Sequence, residues 1–562
     1  MVRIMPQYTR FRAAACCLLV AAVACSTGLP RPAWAGSDSD AVLAEMALQK
    51  GQCREAAEAF LKAASASQDV ALAARATQVA LGCEQLDVAQ RAAARWQQLA
   101  PGRGEAAFAR ALVAMKRYQL DDARKALIVW RDSGAAGNQD PGRFAQLLEN
   151  ETDATVAARI FGDVLVGEEP TAEVLLAQAT LALHAYDASK ALQLAQRASG
   201  IQQGLIAARI VQVRAHALLG DTEAALVAAR ALEGRLAGDD VYLVADVLAA
   251  GRRHEAAREE LMRRRTETQL SAGVDARLGA LALEQGDLAE AEKRFGAIVG
   301  QRGHATMALL SLARIFERRG DDERALRSYA LLADSTVSLA ARGGAAKLLL
   351  KAGKRDAALG LFDAYLKDHP ESAIEVAVAR AQLFSGHGDG ATAVAVLDAA
   401  LKDHPGHPQL QYQRATVLER AGRSADAERA LEQLLKQRPD DPGVANALGF
   451  TLADHGRSLD RAEKLVRQAL AVSPDNPAIQ DSLGWVRFRR GHVEEAIRLL
   501  ELAWKGAHDA EIGAHLGEAL WRHGEEGRAR YVWQQALNVD PDDLLLRRTL
   551  LRLTGEEPPR ER

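Results

Sequence analysis

Aromatic residues are scarce in this chain, at 5% of its 562 residues. Alanine and leucine therefore dominate a hydrophobic share of 48%, and both lose little conformational freedom in a helix, so the composition points to helices. Long apolar runs are also missing. The longest, Ala13 to Ala24, has twelve residues, whereas a spanning helix needs about 20, so no segment is expected to cross a membrane. Basic blocks are absent and the net charge is −3, which makes nucleic acid a poor partner. Only 16 prolines and five cysteines occur, and for the prolines position is more telling than number.

What is present begins with an export segment. Arg3, Arg10 and Arg12 precede the apolar stretch AAACCLLVAAVA, so residues 1–24 read as a signal peptide. Two processing signals follow it. Ala22-Val23-Ala24-Cys25 is a lipobox with a weak first position, and Cys25 directly abuts the apolar stretch. Ala33-Trp34-Ala35 fits the small-x-small rule for ordinary signal peptidase but lies some ten residues beyond, with Arg31 between. Lipidation at Cys25 is the favoured reading, with 25–42 as a flexible tether. Cleavage after Ala35, leaving a soluble periplasmic chain, is the alternative. Cutting before Cys25 removes three positive charges and no acid, taking the net charge from −3 to −6. Cys16 and Cys17 leave with the signal. Cys53 and Cys83 read either as a disulfide in an oxidising compartment or as two small buried hydrophobes.

The length exceeds what one core supports, since single cores stop growing at about 250–300 residues. An internal repeat supplies the organisation. QGDLAEAEKRF, RGDDERALRSY, AGRSADAERAL and RGHVEEAIRLL each carry Gly, four residues, Ala, then a large apolar residue four further on. The marker alanines are Ala56, Ala89, Ala123, Ala157, Ala191, Ala225, Ala256, Ala291, Ala325, Ala358, Ala393, Ala427, Ala462, Ala496 and Ala529. Their spacing is near 34, the period of the tetratricopeptide repeat (TPR). The glycine suits a tight turn between antiparallel helices. Six prolines lie 12 residues after a marker, where they would end the second helix. The expected fold is all-α, a right-handed TPR superhelix (α-solenoid) of about 15 helical hairpins. The pattern divides into a degenerate array over 43–270, a regular array over 271–555 closed by a capping helix, and a tail at 556–562. The loop RDSGAAGNQDPG (131–142) interrupts the first array.

No convincing active site, metal site or cofactor-binding motif is found. GHGDG (386–390) falls on an inter-helix turn, His404 and His407 flank prolines in a connection, and His254-Glu255 lacks the second histidine of a zinc protease. The chain is not expected to be an enzyme. A concave groove lined by first helices is suited to binding protein. Phasing from the turn glycines directs Asn446, Phe450, Asp454, Asp481, Trp485, Phe488, Arg489, Glu518, Trp521 and Arg522 into it. Trp485 and Trp521 stand beside arginines, the pairing that protein-binding hot spots use. The competing reading is packing between successive first helices. Trp533, and with it Trp504, is assigned to packing.

The blocks NALGFTLAD, DSLGWV and HLGEALW within residues 441–555 resemble periplasmic TPR lipoproteins of Gram-negative bacteria. The best-known kind is an outer-membrane adaptor that binds a carboxyl-terminal processing protease and helps it degrade substrates such as peptidoglycan hydrolases. The match covers about a fifth of the chain, and Arg487 departs from it where a TPR usually has an aromatic. The resemblance implies a lipid on Cys25, attachment to the outer membrane through that lipid alone, and a protease partner. An assembly factor for an envelope polymer, an exported polysaccharide or peptidoglycan, is the alternative function.

Overall fold

The computed structural model describes residues 39–50, 52–134, 140–165, 170–265 and 270–556. The signal peptide, Cys25, both processing signals, nearly all of the tether, the middle of the 131–142 loop and residues 557–562 lie outside them. Among the described residues there is no strand, and the helices form fifteen antiparallel hairpins followed by one single helix, Leu544–Thr554. This is the all-α hairpin array expected from the 34-residue period. The closing helix ends at Gly555, whose φ of +74° is a left-handed cap.

The marker alanines explain the pairing. From Ala56 to Ala529 each is at most 1% exposed, once the seventh is taken as Ala257. Ala256 is only partly buried, so the irregular step to it is corrected from 31 residues to 32. A methyl group there lets the two helices of a hairpin approach closely. The residue four later fills the space above, as Phe60, Phe161, Phe295, Phe362 and Trp533 do, each at most 2% exposed. Burying each such side chain contributes about 1.5–3 kcal/mol. In four hairpins the facing residue of the first helix is a glycine. A Cβ on Gly279, Gly449, Gly484 or Gly517 would meet Phe295, Val466, Leu500 or Trp533 at 2.9 Å or closer.

The turns between paired helices are closed by one bond, such as Asp287 N–H to the Ala282 carbonyl at 2.9 Å. The residue before that donor has positive φ, between +70° and +91° at Gly286, Gly320, Gly422, Gly491 and Gly524. Where glycine is missing in the earlier array, the same conformation is kept by Glu84 (+52°), Tyr118 (+60°), Tyr186 (+59°) and Arg252 (+61°). Each costs about 1 kcal/mol or more, and such residues persist only where surroundings over-determine them.

Second helices end at Leu99, Asp368, Asp403, Gln437, Val472 and Val539, each two residues before the repeat's proline. The residue preceding a proline disfavours helical geometry, so the stop falls one residue earlier than the ring itself. Pro408, Pro442 and Pro477 then open the next helix, where a missing N–H costs nothing.

Two compact units result. Among the described residues, one joins 182–358 with 445–556, and the other joins 39–181 with 359–444. Within the first, Asp475 N–H donates to the Tyr186 carbonyl at 2.9 Å. Within the second, the Gln85 amide donates to the Asp403 carbonyl at 3.0 Å. A disulfide joins Cys53 to Cys83 with Cα atoms 5.4 Å apart, tying the start of helix Cys53–Ala66 to the cap of helix Val70–Gly82. No described helix is long and apolar enough to cross a membrane.

Candidate protein-binding face

Three successive first helices, Pro442–Asp454, Pro477–Arg489 and Ala510–Arg522, carry the predicted groove residues. A 34-residue repeat places equivalent side chains side by side, and the spacing of Asp481 and His515 is 34. His515 Nδ1–H donates to both Asp481 carboxylate oxygens at 3.0 Å, and both residues are buried. Burial opposes a charge on His515, but the Asp481 carboxylate outweighs it and the imidazole is pushed up to about 9.

The His515 ring stacks on Trp485 at 4.3 Å and packs against Phe450 at 5.6 Å. Trp485 in turn stacks on Phe488 at 5.1 Å. Its indole N–H donates to Asp454 Oδ1 at 3.0 Å. Arg489 donates to the Asp454 carbonyl, has a guanidinium nitrogen 3.6 Å from the Asp454 carboxylate, and lies 5.9 Å from the Trp485 ring. One connected wall therefore brings together Phe450, Asp454, Asp481, Trp485, Phe488 and Arg489.

The remaining predicted residues lie outside that wall. Glu518 is buried and paired with Arg552 of the closing helix at 2.5 Å. Trp521 is half-buried against Trp533 at 5.6 Å, under the Arg530 guanidinium at 5.3 Å. Arg522 is exposed. Asn446 is half-buried, and its carbonyl oxygen accepts no hydrogen bond. Trp533 is 1% exposed and Trp504 packs toward Gly513, as assigned to packing.

His515 was not among the predicted residues. The signal that could have found it is its 34-residue offset from Asp481, which aligns the two on neighbouring first helices. An Asp–His pair can orient an imidazole base, but His515 is 3% exposed and Trp485 and Phe450 pack on it. Its role here is to fix the wall. Buried Trp485 and Asp481 hold the rings in place, while Phe450, Phe488, Arg489, Trp521 and Arg522 retain exposure. Pre-ordered aromatics beside guanidiniums can anchor a protein partner at low entropic cost.

Arg487, the departure from the TPR aromatic, lies beside an open notch of about 510 Å³ between helix Leu459–Val472 and helix Pro477–Arg489. It pairs with buried Glu463 at 3.1 Å and Glu495 at 3.3 Å, and Arg467 and Arg490 also pair with Glu463. A carboxylate held by three guanidiniums thus takes the place of ring packing.

TPR family models match residues 277–336 and 446–512, and a second TPR model matches 386–449. A TPR repeat-containing protein of Pseudomonas aeruginosa is 28% identical over 252 residues, 45% of this chain and 43% of the relative, so the match spans less than half of that protein. Among solved structures, a TPR protein of Thermus thermophilus is 21% identical, with 32% of this chain and 99% of that one covered and a TM-score of 0.30. A TPR protein of Parabacteroides merdae is 17% identical, covering 45% and 100%, with a TM-score of 0.33. The Cut9–Hcn1 hetero-tetramer of the APC/C is 13% identical, covering 96% and 99%, with a TM-score of 0.31. The chain carries tetratricopeptide repeats, an architecture that serves as a protein-binding scaffold.

Proposed function

We propose that this chain is a non-enzymatic, protein-binding scaffold of the Gram-negative envelope, held at the outer membrane by a lipid on Cys25. Its partner is a carboxyl-terminal processing protease, to which it presents substrates such as peptidoglycan hydrolases. The observation that carries the binding reading is the connected aromatic and arginine wall at 450–489, with half-buried Trp521 and exposed Arg522 outside it on the next first helix. The export segment and the blocks NALGFTLAD, DSLGWV and HLGEALW support the location and the choice of partner.

The test is a crosslinked pull-down of the full-length protein from its own envelope fraction, read by mass spectrometry. A processing protease recovered with the wild-type protein, and depleted with the double variant Trp521→Ala, Arg522→Ala, is the expected result. Recovery of polymer-export or wall-synthesis components with no protease overturns the adaptor reading. The bait's own N-terminal peptide distinguishes a lipidated Cys25 from a free Gly36.

A further inference from the structure

Two of the glycines missing from the earlier turns have a common correlate. At Gly286, Gly320, Gly353, Gly388, Gly422, Gly491 and Gly524 a side chain would point into open space, with nothing within 4 Å of an added Cβ. At the turns occupied by Glu84 and Tyr118 something is there for the side chain to meet. In each case it belongs to a connection between later hairpins.

In the unit that contains residues up to 181, Glu84 faces the connection DHPGHP. Lys116 Nζ lies 3.1 Å from the Glu84 carboxylate and His407 Nε2 lies 3.5 Å from it. The next residue, Gln85, donates to the Asp403 carbonyl at 3.0 Å and sits 3.0 Å from His404 Nδ1. Arg54 donates to the Lys402 carbonyl at 2.6 Å. Arg54 and Glu84 each adjoin a half of the Cys53–Cys83 disulfide, so one covalent bond holds both sides of the grip on 402–407. In the same unit the Tyr118 ring lies under the Arg438 guanidinium at 4.5 Å, beside the connection that holds Pro439.

In the other unit the contacts reach the main chain of the turns instead. Asp475, beside Pro474, donates its N–H to the Tyr186 carbonyl at 2.9 Å and accepts from Ala188 N–H at 2.8 Å. Gly220, a turn glycine of this earlier stretch, has Lys505 against it: Nζ donates to its carbonyl at 3.2 Å.

We infer that Glu84 and Tyr118 are self-docking residues, which keep a left-handed turn that favours glycine because their side chains latch the earlier hairpins of their unit onto connections of its later hairpins. The backbone strain at these turns is held by the contact. Glu84 is the main latch, because its carboxylate meets the Lys116 ammonium and the His407 ring and its neighbours grip the same connection. The reading is independent of partner identity, since every contact lies within the chain.

Hydrogen exchange on the full-length protein tests it, comparing wild type with Glu84→Gly and His407→Ala. Glycine relieves the turn and removes the latch. The expected result is exchange at least tenfold faster across 402–408 in both variants, with protection of helices Val70–Gly82 and Leu86–Leu99 kept or raised in Glu84→Gly. Two results overturn the inference. One is unchanged exchange across 402–408 in Glu84→Gly. The other is loss of protection within 70–99 in that variant, which would make Glu84 a support of its own hairpin only.

Discussion

Replacing Gly517 by alanine isolates the packing rule of the array. Gly517 lies inside helix Ala510–Arg522, facing Trp533 of the partner helix. On propensity alone the change should stabilise the helix by up to about 1 kcal/mol. The new Cβ, however, would fall 2.0 Å from Trp533 Nε1 and 2.5 Å from two other indole atoms. Trp533 is 1% exposed and cannot withdraw into solvent without leaving the core. Overpacking of this kind costs about 1–3 kcal/mol, and expelling the ring costs about 3–5. The clash exceeds the propensity gain, and a net loss of about 2 kcal/mol is expected. Gly360→Ala is the matched control, because it sits inside helix Arg355–Asp368 with nothing within 4 Å of the added carbon. It should gain up to about 1 kcal/mol. Repeat arrays need not unfold in one step, so the assay is hydrogen exchange local to each hairpin, supported by urea melts. Equal gains in both variants would refute the small-facing-large rule.

Three further outcomes follow from the same structure. His515 has a raised pKa of about 9, so the stability it contributes is complete below its ordinary 6.5 and is lost as pH rises toward 9; His515→Asn should flatten that decline in pH-dependent melts. Trp485→Phe keeps the stack on His515 but removes the indole donor to half-exposed Asp454, which keeps Arg489 nearby, and should cost about 0.5–1.5 kcal/mol in exchange across 442–489. The Cys53–Cys83 bond closes a loop of sequence separation 30, so the double change to serine should cost about 2–4 kcal/mol, and intact-mass measurement without reductant should find the chain 2 Da lighter, one bond's two hydrogens.

The array was legible because its cause is local and repeated. A buried alanine, a large residue four later and a turn glycine recur at one phase, and each can be read without knowing what lies across the fold. The one-residue error at Ala256 arose where two alanines adjoin and only burial separates them. The candidate face was half legible. Phasing selected Asp481 and Trp485 because both lie on first helices, but their exposure was not readable, since it depends on the next hairpin: His515 covers Trp485 and takes up Asp481. The earlier array looked degenerate for a different reason. Glu84, Tyr118, Tyr186 and Arg252 are read as noise when the expected residue is glycine. His407 and Arg438, which meet Glu84 and Tyr118, lie hundreds of positions away, and no local pattern announces those.

The Glu84–His407 contact also sets an order of events. The two residues are 323 positions apart, whereas every hairpin closes within one repeat. Local closure is fast and long loops close late. A ribosome adding 5–20 residues per second separates the two by roughly half a minute. During that interval the first hairpins must carry their strained turns without the partner that relieves them. Early hairpins are therefore the ones most exposed to proteases or holding chaperones during synthesis. The disulfide between the first two is placed where it can shorten that vulnerability before the rest of the chain arrives.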